Sequence, residues 1–318
     1  MKEEYTEATI IMATYNGINY IESQLSSILR QTYQPLKVII RDDGSNDGTS
    51  EFIKYFIKQN QLQSTWDFQI NIENKGWRRN FIDMLTLTDT KYIFYADQDD
   101  IWNEDKIYKT LGLMNKHNNI NVLVSDYSLF GESGGEEKIK TIDEVFITDK
   151  LYRVRQTLSN LTIRRDGCAF AIRQTFVPSV LSVYENIGKD SNGLPQAHDL
   201  ATWLAGILSD SLYHVREDLI EHRIHASSTW SLEAEKLVQT KNTISDNFMN
   251  YYCKILHYPR LTKESVYYEL IGIKLNDFKV ESDLIKTGSK IQKIFSFRKF
   301  SSMKRYLGFI KRNLLTKN

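Results

Sequence analysis

The stretch "YADQDD", Tyr95 to Asp100, sets three carboxylates within four positions directly behind an apolar run. Like charges at that spacing repel. A cation, a fully hydrated turn, or an Asp100 that caps a following helix would each account for them. Mg2+ and Mn2+ favour oxygen ligands and commonly bind through one or two carboxylates together with substrate phosphates. An acidic loop of this kind therefore suits a nucleoside diphosphate held through a metal. A second acidic pair, Asp42 and Asp43, opens "DDGSNDGT". The turn formers behind it account for a helix start capped by Ser45, Asn46 or Asp47, yet two adjacent carboxylates exceed what a cap needs. A carboxylate there can accept a hydrogen bond from a pyrimidine N–H or a ribose hydroxyl.

Three later stretches carry further candidates. "HDLATWL" begins a helical pattern whose first turn presents His198 and Asp199. An Asp in that position is a cap, a partner of the helix dipole, or a proton acceptor. "LIEHRIHASST" holds His222 and His225, at a spacing too loose to define a metal site by itself. In "RRDGCAFAIRQ", Gly167 lets a backbone approach a ligand closely. Cys168 has no His beside it in a recognisable nucleophile motif and reads as a small packing residue.

The elements that hold these residues follow from periodicity. "ATIIMA" predicts a buried strand, and Asn19 to Arg30 a helix with Ile21, Leu25, Ile28 and Leu29 on one face. "LKVIIR", "WDFQINIE", "KYIFYA" and "INVLVSDY" predict four more strands. Helices fall between them at "EFIKYFIKQ", "RRNFIDMLTL" and from about Asn103. This alternation predicts an α/β fold with a mostly parallel central sheet and helices on both faces. Ligands of such sheets sit at the carboxyl ends of the strands, where "TYNG", "DDGS" and "DQDD" all fall. Residues 131–165 read as polar loop, and the chain after Trp230 as a helical, basic appendage.

Composition narrows the classes. Apolar content of 41% and charged content of 25% over 318 residues describe an ordinary globular chain. Two cysteines are too few for a disulfide framework, and no run of about 18 apolar residues suggests a spanning helix. With no signal-peptide core at the N-terminus, the expected location is cytoplasmic, with peripheral contact at the inner face of the membrane. That contact rests on the charge distribution. From Leu284 onward there are ten of the 41 Lys and Arg and none of the 40 Asp and Glu, which leaves −9 on the preceding residues. Ile, Phe, Tyr and Leu interleaved with those cations suit an anionic membrane surface, an RNA-binding segment or a partner-docking helix; the membrane surface is the expected contact and nucleic acid is not, and a net charge of +1 gives no hint of a polyanion partner.

"TIIMATYNG", "VIIRDDGSNDGT" and "YIFYADQDDIW", in that order, resemble the successive signatures of family 2 glycosyltransferases, which have the GT-A fold. The resemblance covers roughly Ala8 to Trp230. "DQDDIW" is similar to a branch containing bacterial rhamnosyltransferases of cell-surface polysaccharide synthesis. It implies a domain over 1–230, with a nucleotide-sugar half 1–127 and an acceptor half 128–230, followed by 231–318 as the helical region. It implies Tyr15 and Asp43 at the nucleotide base and Asp97 towards ribose or diphosphate, with Thr14, Asn16, Asp42 and Gln98 also among the nucleotide-sugar contacts. "NKGWRRNF" resembles a segment that closes over the nucleotide, which makes Arg78 or Arg79 a candidate contact.

Asp99 falls on the family's metal ligand for Mn2+ or Mg2+, and His225 on a histidine that completes the metal shell in parts of the family. Asp199 falls on the catalytic base, with His198 where Glu is usual. Gly167, Cys168, His198 and Arg223 fall on the acceptor side. His222 stands where Tyr is usual, and Ser228 where Asn is.

The implied activity is a metal-dependent, inverting glycosyltransferase of the hexosyltransferase class. It takes a nucleotide-diphosphate sugar, dTDP-rhamnose first and UDP-hexoses next, and a glycan or lipid-linked acceptor. A glycosidase would pair two carboxylates across a sugar and leaves the strand-end motifs unexplained. A dinucleotide dehydrogenase lacks its G-x-G-x-x-G after the first strand. A non-catalytic nucleotide-sugar or membrane-binding scaffold with the same fold is the remaining alternative.

Overall fold

The computed structural model describes residues 8–34, 36–131, 141–225 and 241–311. Its sheet begins with β1 (Ala8–Thr14), β2 (Lys37–Asp42), β3 (Trp66–Ile70) and β4 (Tyr92–Ala96), all parallel in the order β3-β2-β1-β4. Ile10, Ile11 and Met12 of β1 and Phe94 and Tyr95 of β4 are fully buried, as strands covered on both faces require. The crossovers are α1 (Ile21–Leu29), α2 (Thr49–Gln59) and α3 (Trp77–Leu85). Each buries an apolar stripe, such as Ile53, Phe56 and Ile57 on α2. Gly48 enters α2 at φ 98°, a left-handed conformation that glycine adopts without cost.

Past β4 the order is β9 (Phe170–Arg173), β6 (Val122–Gly131), β10 (Leu212–Ile224), β8 (Leu151–Val154) and β7 (Glu144–Thr148), with β5 (Ile101–Trp102) also on β10. β9 runs antiparallel to both β4 and β6, while β6 and β10 are parallel. Its entry end therefore lies at the same sheet edge as the carboxyl ends of its neighbours. β5 and β8 also run against β10, so most strands share one direction. Three helices complete this part: α4 (Lys106–Lys116), α5 (Val177–Ile187) and α6 (His198–Leu208).

Two expectations change. Residues expected as loop within 131–165 include the β7–β8 hairpin. The helix after "DQDD" starts at Lys106 with Asp105 before it, so Asp100 does not cap it. Ser228 and Trp230 lie outside the described residues.

The chain divides into two compact units. One comprises Met1–Arg155, Ser159–Glu185 and Gln196–Val238; the other Gln156–Leu158, Asn186–Pro195 and Gln239–Asn318. The second contains α7 (Lys241–Leu256), α8 (Val266–Thr287), α9 (Lys290–Ile294) and α10 (Met303–Ile310). Leu284, Phe300 and Phe309 form a small core there, and Asp277 accepts hydrogen bonds from Ser301 N (2.8 Å) and Arg305 Nε (3.2 Å). No helix among the described residues is long and apolar enough to cross a membrane.

Candidate active site

Asp42, at the end of β2, is fully buried. Its Oδ2 accepts from Thr14 Oγ1 (2.8 Å) and Ser45 Oγ (2.6 Å), and its Oδ1 from Ser45 N (2.8 Å), Ser50 Oγ (2.8 Å) and Gly44 N (3.2 Å). Saturated in this way, Asp42 organises the loop and has no lone pair facing a nucleotide, contrary to the sequence expectation. Thr14, also buried, belongs to the same framework. Asp43 differs: Oδ1 accepts from Asn71 Nδ2 (2.8 Å) and Lys75 N (3.0 Å), and Oδ2 has no hydrogen-bond partner among the described residues. Asp47 takes Ile18 N and Thr49 N, each at 3.0 Å, so it orders the start of α2.

The β1 loop is tied to both neighbouring loops. Gln98 receives Tyr15 N on Oε1 (2.9 Å) and returns Nε2 to Tyr15 O (3.0 Å). That reciprocal pair uses the side-chain amide expected to meet the donor. Asn16 N donates to Ser45 Oγ (2.8 Å) and Asn16 Oδ1 accepts from Asn46 N (3.0 Å). Tyr15 is 49% exposed on this rim.

The end of β10 passes the "DQDD" loop because β5, which follows that loop, pairs with Ile220 and Glu221. His225 Nε2 and Asp99 Oδ2 lie 2.8 Å apart. His222 Nδ1 lies 2.8 Å from Asp100 Oδ1, which also accepts from Arg223 N at 3.1 Å. Arg223 Nε donates to Asp99 O (2.8 Å) and its guanidinium covers the rings of Phe130 and Tyr20. Arg223 is thus a clamp on the acidic loop rather than an acceptor-facing group. Burial raises the pKa of Asp97 well above the usual carboxylate range, and Asp100 and Asp99 add to the rise. Burial works against a charged His222, but the Asp100 carboxylate overrides it and pushes the ring up to about 10.

α6 begins where Pro195 and the extended Ala197 end the preceding segment. Asp199, in its first turn, accepts from Leu200 N through Oδ1 (2.7 Å), and Oδ2 has no hydrogen-bond partner among the described residues. Burial pushes Asp199 up to about 6; the Leu200 N–H opposes this and nearby Asp166 reinforces it. Next to it, His198 stacks on Phe81 at 3.9 Å and meets Tyr95 and Trp77 edge-on. Neither ring nitrogen has a hydrogen-bond partner among the described residues, and burial, aided by Arg78, depresses the ring to about 3. His198 is a neutral packing piece.

Gly167 serves that packing: a Cβ there would stand 2.5 Å from His198 Nε2. The close approach expected of this glycine is to a side chain of the protein itself. Arg78 lies over the Trp77 ring at 4.2 Å and acts electrostatically on Asp199 and His198, whereas Arg79 pairs with Asp83 at 2.8 Å on the α3 surface. Of the two arginines, only Arg78 is directed towards the site.

Cys168 is fully buried, as a packing residue should be, and burial together with Asp100 raises its thiol well above the usual range. No thiolate nucleophile is available there. A histidine does lie close, however, with Sγ 3.8 Å from His222 Nδ1.

Three residues escaped the sequence reading. Asp166, hydrogen-bonded by Tyr127 Oη, joins the carboxylates around Asp199 and Asp97. Its place in "RRDGC" and the place of Tyr127 near a strand end were the available signals. Lys106 is buried among the apolar positions of α4, donates to Cys168 O at 3.2 Å, and is depressed to about 8 by burial.

Asp99 and His225 bring a carboxylate oxygen and an imidazole nitrogen to one point, a donor pair suited to Mn2+ and acceptable, through the carboxylate, to Mg2+. With Asp43, Asp97 and Asp199 on one edge of a mostly parallel sheet, the architecture is that of a GT-A glycosyltransferase. The chain belongs to glycosyl transferase family 2, whose model matches residues 9–177.

An uncharacterized glycosyltransferase of Rickettsia prowazekii is 28% identical over 87% of this chain and 78% of its own length. The dTDP-rhamnosyl transferase RfbG of Shigella flexneri is 36% identical over 39% of this chain and 43% of its own. S. aureus TarS 1-349 in complex with UDP-GlcNAc shares the fold with TM-score 0.61 at 12% identity, over 96% of this chain and 80% of that one. GalNAc-T7 with UDP, GalNAc and Mn2+ gives TM-score 0.54 at 13% identity, over 98% of this chain and 58% of that one.

Proposed function

We propose that this glycosyltransferase moves a sugar from a nucleoside diphosphate to an acceptor hydroxyl with inversion, using Asp199 as its base. The observation that carries the reading is Asp199 itself. It is a carboxylate raised to about 6, on the sheet edge that also carries the Asp99–His225 pair. A base with that pKa is ionised at neutral pH yet basic enough to accept a proton in the transition state. Asp199 takes the acceptor proton as the hydroxyl attacks the anomeric carbon from the face opposite the leaving group, and a single displacement needs one base. Asp99 and His225 would hold Mn2+ or Mg2+, which when bound supplies positive charge against the diphosphate. Tyr15 and Asp43 receive the base, Asp97 the ribose or diphosphate, and Arg78 the diphosphate side.

The transfer domain spans 1–230, with donor half 1–127 and acceptor half 128–230, and 231–318 is the helical region. The donor we favour is dTDP-rhamnose, supported by the partial likeness to RfbG, with UDP-hexoses next. The acceptor is a glycan or lipid-linked glycan of bacterial cell-surface polysaccharide, reached at the inner face of the membrane. Asp199→Asn tests the reading. Turnover should fall at least about 100-fold, the lower end for general base catalysis, while donor affinity is kept. Near-normal turnover would remove Asp199 from the role. A wild-type chain that binds nucleotide sugars but never hydrolyses or transfers them would favour a scaffold.

A further inference from the structure

Beside the Asp99–His225 pair lies a second group of donors that the transfer reading does not use as a unit. Asp97, Asp100, Cys168 and His222 each offer one ligand atom, and these atoms all lie within 4.8 Å of one another. His222 Nδ1 lies 2.8 Å from Asp100 Oδ1 and 3.8 Å from Cys168 Sγ. Ligand atoms of a tetrahedral zinc site are about 3.3–3.8 Å apart, given Zn–N and Zn–O near 2.0 Å and Zn–S near 2.3 Å. Only small side-chain movements separate this group from that geometry.

A second observation points to a cation. Asp100 is fully buried, and its Oδ2 has no hydrogen-bond partner among the described residues. A buried carboxylate oxygen left in that state is costly unless something positive meets it. The donor chemistry then chooses the ion. A hard ion such as Mg2+ gains little from a thiolate, whereas sulfur and imidazole together favour Zn2+.

We propose that Asp97, Asp100, Cys168 and His222 form an inner metal site that takes Zn2+, separate from the Asp99–His225 pair. The Cys168 Sγ–H proton, with any proton on His222 Nδ1 or the Asp97 carboxyl, leaves to solvent as the metal bonds form, so uptake tightens as pH rises. The ion then becomes the positive partner of Asp100. The site itself does not depend on the transfer reading. If that reading holds, Asp97 is shared between zinc and the donor nucleotide, and each excludes the other.

Cobalt is the probe, because Co2+ enters zinc sites and reports its ligands optically. Co2+ alone, titrated into the full-length chain, should give intense tetrahedral visible bands and a near-ultraviolet thiolate-to-cobalt charge-transfer absorption. Zn2+ should abolish both. Cys168→Ser should remove the charge-transfer absorption, while Cys253→Ser and His225→Ala should retain it. Absence of that absorption in the wild type, or its survival in Cys168→Ser, would overturn the site. Should Cys168→Ser fail to fold by circular dichroism, His222→Gln decides instead: cobalt affinity should fall about tenfold or more, and unchanged affinity counts against the site. Neither result bears on transfer, which is read by turnover with Mn2+.

Discussion

At the scale of single residues, the contrast between His198 and Asp199 matters most. They are adjacent in sequence and both sit in the first turn of α6, yet the aromatic rings around His198 silence its imidazole while Asp199 stays poised to titrate. The acid limb of the rate profile should reflect this. A base at about 6 must lose its proton to act, so kcat/KM should rise with pH and level off above about 6. An ordinary carboxylate would place that limb near 4. Asp166→Asn removes a neighbouring negative charge that disfavours ionisation of Asp199, so the limb should move to lower pH. A limb unmoved by that change would mean the two carboxylates do not sense each other.

Among elements, the turn into β9 and the start of α6 meet at Gly167, while Phe170 of β9 also meets Trp203 of α6 edge-on. Gly167 opens the turn into β9, and His198 fills the space a side chain would take. Gly167→Ala should therefore destabilise the fold by about 1–3 kcal/mol in denaturant titrations, the usual cost of overpacking. Adding His198→Ala should return part of that loss, a coupling that a double-mutant cycle measures.

The strands β1, β2 and β4 were legible in the sequence because they are buried on both faces and read as unbroken apolar runs. β10 was not: in "LYHVREDLIEHRI" two register shifts break the two-residue alternation, and charged residues occupy half-buried positions. The β7–β8 hairpin was hidden for a related reason, since only Leu151 and Val154 of its strands are buried. At the site, the family pattern singled out Asp99 and His225, which the structure places 2.8 Å apart. The pairings of Asp100 with His222 and of Tyr127 with Asp166 join positions brought together only by the sheet, and no local spacing announces them.

Across the whole molecule, charge is segregated. The basic segment from Leu284 onward also exposes Ile285, Ile294, Phe295, Phe297, Met303 and Leu307, a combination of cations and apolar side chains that suits an anionic bilayer. Full-length protein should sediment with vesicles rich in anionic phospholipid, much less with neutral ones, and less again as salt rises. Lys293→Gln with Lys299→Gln should weaken that binding by about 2 kcal/mol, at roughly 1 kcal/mol per basic residue near the surface. Equal binding to neutral vesicles would remove the electrostatic role of the cations, and binding to neither would favour a protein partner.

The loops around Tyr15 are already cross-linked: Gln98 grips the Tyr15 backbone from both sides, and Asn16 ties across to Ser45 and Asn46. A rim stitched before any nucleotide arrives has little conformational freedom left to surrender. The unfavourable ordering entropy that accompanies loop closure is thereby kept small, and a modest set of contacts suffices for useful affinity. Calorimetry of nucleotide-sugar binding should then show little ordering entropy from the Tyr15 rim, and a large one would mean that these ties break on binding.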